Sequence, residues 1–407
     1  MRALPPPLLW LLFGVSAPAA ASEAEPPLTP NLDTKLFWTG VFPDDTPWNR
    51  LMGTAEPMGS GILNLRGRLT YEPIPHLKFE AHHVLNGQVS TMPQGEGLSA
   101  GSGVGRSVPQ WVDLNWEEDE SDSLVVLGQT DRLLMKATIG SVDLTLGRQA
   151  ITFGAGRFFT PIDLVNPFHP ATVDTEYKPG TDALRTDIYL NTSAVWTHTL
   201  AYTGTDEKDA WVYASYAGWT LGVTDMGLFI ATFFSPEEGI EDRVLGVSSA
   251  SSVGPVGLYG DAAVTFTDDD PFARAVLGAD YRPTSTTTLN VEAYYQGNGA
   301  TSVEGYLDMF TDPRVARGEI WALGQSYAAL AVMQELTPTL QSSLAALANL
   351  QDGSGLLLPS LDVSVSDEVA WTSGAYLGVG APPDDDGLQS EFGLYPSMVF
   401  TQMRAYF

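Results

Sequence analysis

The sequence predicts an all-β protein, a transmembrane antiparallel up-and-down β-barrel of about eighteen strands. Three observations support this prediction. Segments of alternating polarity recur along the chain, the connections between them are short and long in turn, and the segment 399–407 reads as a strand that ends at Phe407. A terminal strand needs a neighbour to cover its open edge, and a closed barrel supplies one by pairing the last strand with the first.

The alternation is clear in two adjacent segments near the beginning of the chain. Leu69 and Tyr71 fall on one face of a strand, and Arg66 and Arg68 fall on the other. The segment 77–85 repeats the pattern after a proline-containing turn. A side-chain period of two residues is the signature of a β-strand with one apolar and one polar face.

The strand count follows from the ends of the barrel. About seventeen strands are clear, but bacterial single-chain barrels have an even number with both termini on one side. A long connection at 87–128 belongs outside, so a strand must precede the segment 62–71, and 35–41 is the candidate. If one segment near 340–365 is misread, the count becomes about sixteen.

The beginning of the chain predicts export. Arg2, the apolar run 8–13 and the small residues 19–21 have the pattern of a signal peptide over residues 1–21, followed by a barrel over 22–407. After the signal peptide, the segment 226–234 comes closest to a long apolar run, and it is too short for a membrane-spanning helix. We therefore expect the protein in the outer membrane of a Gram-negative bacterium.

The composition restricts the class of protein. The chain has no cysteine, charged residues make up 17%, and the net charge is −29. Soluble domains usually carry more charge, and nucleic-acid binding requires clustered Lys and Arg. Acidic runs at 117–120, 268–270 and 384–386 are interpreted as solvated loop tips or, alternatively, as collectors of divalent cations.

Charged residues at inward-facing positions are unevenly distributed around the predicted barrel. On the second to sixth strands and on the last strand they form a basic wall: Arg66, Arg68, Lys78, Arg132, Lys136, Arg185 and Arg404. On the eleventh to seventeenth strands they form an acidic wall: Asp261, Asp280, Glu292, Asp362 and Glu368. Opposed walls create a transverse field that selects polar or charged solutes. Alternatively, these charges pair across strands and close the barrel.

The regular alternation fails after the fifth strand. Arg148 falls at a lipid-facing position, and the following segment is rich in glycine and proline. Prolines forbid a regular strand, so this segment is expected to fold inward and narrow the pore. The candidate constriction residues are Arg157, Phe158, Phe159, Asp163 and Asn166.

The same stretch carries a family resemblance. Gly147-Arg148-Gln149, followed by a glycine-rich and proline-containing loop, resembles alginate-export porins and related large bacterial outer-membrane porins over roughly residues 131–190. The resemblance implies an eighteen-stranded barrel and a basic lumen that passes an anionic polysaccharide. Because the opposite wall is acidic here, neutral or mixed saccharides are left open.

Residues typical of catalysis do not form a recognisable constellation. His82 and His83 fall on opposite faces, and no Gly-x-Ser-x-Gly motif occurs. We therefore expect no enzyme activity, no cofactor and no metal.

The predicted function is a channel for polar solutes, particularly saccharides, that serves as the outlet of a polysaccharide export system. The alternatives are a general diffusion porin for small solutes and a non-conducting structural or adhesive barrel. Expected partners are outer-membrane lipid and lipopolysaccharide, the barrel-assembly machinery through Phe407 and a periplasmic export partner, but no nucleic acid.

Overall fold

The computed structural model describes residues 28–46, 49–50, 55–91, 110–121, 124–168, 176–204, 208–237, 239–268, 270–385 and 387–407. The predicted signal peptide lies outside these residues, as do Asp269 and Asp386 of the acidic runs.

Antiparallel strands of a single sheet make up most of the described chain. The 19 strands are β1 (Leu28–Phe42), β2 (Met58–Ile74), β3 (Leu77–Ser90), β4 (Trp116–Ser121), β5 (Leu124–Ile139), β6 (Val142–Gln149), β7 (Thr181–Asn191), β8 (Ala194–Tyr202), β9 (Trp211–Leu221), β10 (Thr224–Ser235), β11 (Gly239–Val253), β12 (Val256–Phe266), β13 (Phe272–Tyr281), β14 (Thr287–Gln296), β15 (Ser326–Thr337), β16 (Leu340–Asn349), β17 (Gly355–Ser364), β18 (Val369–Val379) and β19 (Ser397–Tyr406).

Eighteen of these strands form a closed ring. β3 pairs directly with β5, and β4 pairs with β5 alone, so removing β4 from the 19 strands leaves a ring of 18. The segment near 340–365 forms two strands, β16 and β17. The predicted eighteen-stranded barrel is therefore confirmed, and the count of sixteen is wrong.

The ring closes between its first and last strands. β1 pairs with β19 in a continuous register from Asp33–Tyr406 to Phe42–Ser397. The backbone N–H of Phe407 donates to the carbonyl of Leu32 at 2.9 Å, and the N–H of Leu32 donates back at 3.1 Å. The last strand therefore has the covered edge that its position in the chain requires.

The connections divide between the two ends of the barrel. The connections at the end that carries residues 28 and 407 are all short, and the longest connections, such as that between β6 and β7, lie at the other end, where β10 and β11 are also joined by a short connection. Helical turns occur in the long connections: 3-10 turns at Val303–Gly305 and Phe392–Leu394, and α-helical turns α1 (Tyr306–Met309) and α2 (Pro313–Ala316). Residues 49–50, between β1 and β2, are also helical.

The predicted loop at 87–128 is shorter than expected. β3 continues to Ser90, β5 begins at Leu124, and β4 pairs with the upper part of β5. Trp116 of β4 lies over Gly128, where any Cβ would be 2.1 Å from the indole. Glu117 and Glu118 are consequently part of a strand and do not form a solvated loop tip.

The outer face of the ring is apolar. In β1 the side chains of Leu36 and Trp38 are exposed, whereas the alternating residues Phe37 and Thr39 are buried. An apolar band on alternate residues is what a lipid-facing strand requires. No helix among the described residues is long and apolar enough to cross a membrane.

Part of the interior is packed with side chains. Ile151, Phe153 and Ile162, which follow β6, pack against apolar inward residues of β7 to β12 in one buried cluster. Phe159 belongs to a second cluster with residues of β13 to β19. The connection between β6 and β7 therefore lies inside the barrel.

Candidate functional site

The segment 150–168, which we call the crossing segment, leaves β6 and reaches the far side of the ring. The backbone N–H groups of Ala155 and Gly156 donate to the Asp261 carboxylate on β12 at 2.9–3.0 Å. The N–H groups of residues 157–159 donate to Glu292 on β14 at 2.7–3.1 Å. Counting along the ring, β14 is the eighth strand after β6 in a ring of 18, so the segment spans nearly the full width.

Side chains strengthen this attachment. The hydroxyl of Tyr259 donates to Glu292 at 2.9 Å, and the guanidinium of Arg157 contacts the Asp280 carboxylate. The ring of Phe159 stacks on that of Tyr294 with centroids 4.5 Å apart. Charge-assisted hydrogen bonds of this kind contribute about 1.5–3 kcal/mol each.

Glycine is required where the crossing segment approaches its neighbours. A Cβ on Gly156 would lie 2.0 Å from the backbone oxygen of Phe159. Gly154 has a φ of +97°, and a Cβ there would lie 2.6 Å from Asp261. Both positions exclude larger residues, by lack of space and, at Gly154, also by backbone conformation.

Three residues of the predicted acidic wall, Asp261, Asp280 and Glu292, hold the crossing segment, although the sequence predicted that they would line the lumen. Asp261 and Glu292 are each 3% exposed, because the crossing segment covers them. Asp280 is occupied by Arg157 and by the amide of Asn290 at 2.7 Å. These carboxylates attach the crossing segment, so only part of their charge acts on the lumen.

The two ends of the β6–β7 connection are tied together. The Lys178 ammonium donates to the Asp163 carboxylate at 2.7 Å and to the Thr152 hydroxyl at 2.9 Å, and Lys178 and Asp163 are both buried. The Asn166 amide donates to the carbonyl of Pro179 at 2.9 Å. Asp163 and Asn166, predicted to line a constriction, hold the connection together.

The predicted basic wall lies on the other side of the crossing segment. Four of its cations are paired with carboxylates of the wall: Arg68 with Asp33 at 2.8 Å, Lys78 with Glu80 at 3.0 Å, Lys136 with Asp143 at 2.7 Å and Arg185 with Asp187 at 2.9 Å. Arg66 contacts Asp131. The alternative in which the charges pair within the barrel therefore describes much of this wall.

The pairs on the basic wall are asymmetric in exposure. The Lys136 side chain is 40% exposed and its partner Asp143 only 9%, and Arg68 is 29% exposed against 1% for Asp33. The same order holds in the pairs of Lys78 and Arg185. Cations therefore stand in front of their carboxylates, and water in the lumen meets the positive partner first.

The remaining predicted wall residues differ from this pattern. The Arg132 guanidinium donates to the backbone oxygens of Asp131 and Lys178, so it supports the β6–β7 connection. Arg404 lies 3.9 Å from Asp362, which is the more exposed partner of that pair. Glu368 lies outside the strands, in the short turn between β17 and β18, where it accepts a hydrogen bond from Ser366.

Two lumen contacts lie outside the predicted set. Lys35 on β1 pairs with Glu176 at 3.0 Å, and the ring of Tyr177 lies 4.2 Å from the Arg66 guanidinium. Lys35 alternates with the outward-facing Leu36, so parity alone identifies it as inward. No sequence pattern marks Glu176 and Tyr177, because their positions depend on the path of a long connection.

Arg148 explains the failure of alternation after β6. It is in register with the outward-facing Leu133 but is only 1% exposed. Its guanidinium donates to Asp182 at 2.9 Å and to the carbonyl of Val112 at 2.5 Å. Residues 110–113 therefore fold against the outer surface near the rim, which allows an arginine at a lipid-facing parity.

Within the described ranges, no three His, Cys, Asp or Glu side chains are arranged to hold a metal ion.

No family model matches the chain, and no curated protein matches it in sequence. Solved structures share its fold. OpdK of Pseudomonas aeruginosa, solved with vanillate, aligns with a TM-score of 0.56 and 9% identity over 93% of this chain and 98% of its own. OccAB2 of Acinetobacter baumannii aligns with a TM-score of 0.58 and 8% identity over 93% and 98%. OccK5 (OpdH) of P. aeruginosa gives 0.56 and 8% over 93% and 97%.

The fold is therefore that of these solved β-barrels. The alginate-export resemblance stays a prediction.

Proposed function

We propose that this protein is an outer-membrane channel through which small polar solutes diffuse, with a preference for anions. The observation that carries the proposal is the difference in exposure between the two partners of each ion pair on the basic wall. In four ion pairs the cation is more exposed than its carboxylate. Since the interaction of a solute with a wall charge falls with distance and with screening by water, the nearer cations dominate.

The opposite side of the lumen supports the same preference. The carboxylates of Asp261 and Glu292 are covered by the crossing segment and neutralised in part by its N–H groups. A carboxylate that already accepts several hydrogen bonds offers little attraction to a passing cation. Between the basic wall and these two covered carboxylates, the charge that a solute meets is therefore positive, although the net charge of the chain is −29.

The crossing segment favours small solutes. It divides the interior between the basic wall and the strands β12 to β14. A polysaccharide chain requires a continuous wide path, so we favour the general porin alternative over a polysaccharide outlet. Transport of saccharides, a periplasmic export partner and recognition of Phe407 by the assembly machinery stay proposals.

The proposal is tested by removing the exposed cations. The triple variant Lys78→Gln, Lys136→Gln, Arg185→Gln is expected to lower the anion-to-cation permeability ratio several-fold, because it removes the charges that the lumen presents. The ratio is obtained from reversal potentials in planar bilayers under a potassium chloride gradient.

The control is Arg243→Gln, which removes an exposed cation whose strand register places it on the outer face of β11. It is expected to leave the ratio unchanged. Equal ratios in the wild type and the triple variant would remove the basic wall from the conduction path. A wild-type protein that never conducts would favour the structural or adhesive alternative.

A further inference from the structure

We propose that Glu176 and Tyr177 form an internal lid, an anionic segment of the chain that occupies the place of a solute anion on the basic wall. The inference rests on the proposed function and deepens it, because it identifies where an anion binds and what competes for that place. The lid consists of two consecutive residues of the β6–β7 connection, just before β7.

The charged partners of the wall cations support the lid. Arg66 and Arg68 pair with Asp131 and Asp33, both of which belong to the barrel wall. Lys35 differs, since a carboxylate 3.0 Å from its ammonium, that of Glu176, belongs to the connection. Withdrawing Glu176 would leave less negative charge beside Lys35, and an anion from solution would supply it.

The shape of the lid also fits this group of cations. Glu176 also accepts a hydrogen bond from the Tyr406 hydroxyl at 3.0 Å, so two groups of the wall hold its carboxylate. The next residue, Tyr177, covers Arg66 with its ring at 4.2 Å and lies 5.1 Å from the Lys35 ammonium. Its hydroxyl donates to Asp33 at 2.8 Å. Adjacent residues therefore supply an anion and a flat ring to one group of cations.

The burial of Lys35 and Arg66 also supports the lid. Lys35 and Arg66 have side chains that are 7% and 8% exposed, whereas Lys136 on the same wall is 40% exposed. Lys35 and Arg66, which the lid contacts, are thus withdrawn from the lumen, whereas Lys136, farther along the wall, is open to it. A segment that covers cations on the wall of a channel, and does so with its own carboxylate, is an autoinhibitory contact that a solute anion displaces.

One test measures the cover directly and does not depend on conduction. The wild type and the double variant Glu176→Gln, Tyr177→Ala are treated briefly with a water-soluble amine-acetylating reagent, and labelling is read by mass spectrometry. Lys35 is expected to react about tenfold faster in the variant, because its reactive population follows the open fraction of the lid. Lys136 is the internal reference and is expected to react equally in both.

A second test measures competition. Adding potassium acetate is expected to reduce the chloride current of the double variant at a concentration about tenfold lower than that needed for the wild type, because acetate no longer competes with Glu176. The control is Glu304→Gln, which removes an exposed carboxylate in the connection between β14 and β15, away from the basic wall and the lid. It is expected to leave the half-blocking concentration of acetate unchanged.

The outcomes separate the two proposals. Equal labelling of Lys35 in the wild type and the double variant would overturn the lid, as would an equal effect of Glu304→Gln on acetate block. A protein that shows the labelling difference but never conducts would overturn the proposed function alone. Glu176→Gln alone keeps the side-chain shape, and its smaller change in the same direction verifies that the double variant is not simply misfolded.

Discussion

The basic wall and the attachment surface on β12 to β14 contain the same kinds of charged residue but use them differently. On the basic wall, carboxylates such as Asp143 lie behind exposed cations such as Lys136. On the attachment surface, Asp261 and Glu292 lie beneath the crossing segment and bind its backbone. A side chain's direction in a barrel is therefore not a measure of its effect on a solute. What covers it decides whether its charge reaches the lumen.

The largest expected effect comes from removing the attachment. Glu292→Leu leaves three backbone N–H groups of residues 157–159 without their acceptor, at a cost on the order of 3 kcal/mol or more. The crossing segment is expected to detach, so single-channel conductance rises several-fold and the thermal unfolding midpoint falls. Both are measured on the purified protein, by bilayer recording and circular dichroism.

The control for that variant is Glu335→Leu, which replaces an exposed glutamate on β15 that binds no part of the crossing segment among the described residues. Its conductance is expected to match the wild type. If Glu292→Leu and Glu335→Leu have the same conductance, the carboxylate of Glu292 does not hold the crossing segment in place.

A smaller effect is expected from crowding the crossing segment without removing its acceptors. Gly156→Ala places a Cβ 2.0 Å from the oxygen of Phe159, so the backbone must shift at a cost of about 1–3 kcal/mol. The thermal midpoint should fall and the conductance should change modestly. Gly87→Ala is the matched control, because no heavy atom lies within 4 Å of a Cβ there, and an equal loss in both variants would contradict the close approach.

A further effect, on stability alone, concerns Glu391 in the connection between β18 and β19. Burial raises the pKa of Glu391 from 4.5 to about 7, although this carboxylate accepts hydrogen bonds from Asn349 at 2.7 Å and from the N–H of Leu323 at 3.0 Å. Because the folded-state pKa is raised, the stabilisation is complete below pH 4.5 and is lost as the pH rises through about 7.

The thermal midpoint of the wild type should therefore be lower at pH 8 than at pH 5. The contribution of Glu391 to the free energy of unfolding is expected to fall by about 2–3 kcal/mol between these pH values. Glu391→Gln removes the titrating group and should reduce the pH dependence between these values. Equal pH dependence in the variant and the wild type would assign it to other groups.

The sequence predicts the barrel because each strand meets lipid on one face and the interior on the other. In β1, outward Leu36 and Trp38 alternate with inward Lys35 and Phe37, and this alternation is enough to orient the strand. The same period orients the other strands. The crossing segment could be placed inside the barrel because its glycines and prolines forbid a strand.

The details of the site could not be predicted, for a physical reason. Asp261 and Glu292 are occupied by backbone N–H groups, which every residue carries and no side-chain pattern reveals. The position of Tyr177 follows from the path of the connection after β6. Similarly, β4 forms where the chain between β3 and β5 finds an open edge on β5.

The meeting of the first and last strands has a consequence for protein engineering. Since Leu32 and Phe407 are hydrogen-bonded neighbours, a short linker can join residue 407 to residue 28, and the chain can be opened instead at the exposed turn between β9 and β10. Such a circular permutant keeps every strand pair of the ring, so a reporter peptide or a fluorescent domain can be fused at a different point on the rim without altering the lumen.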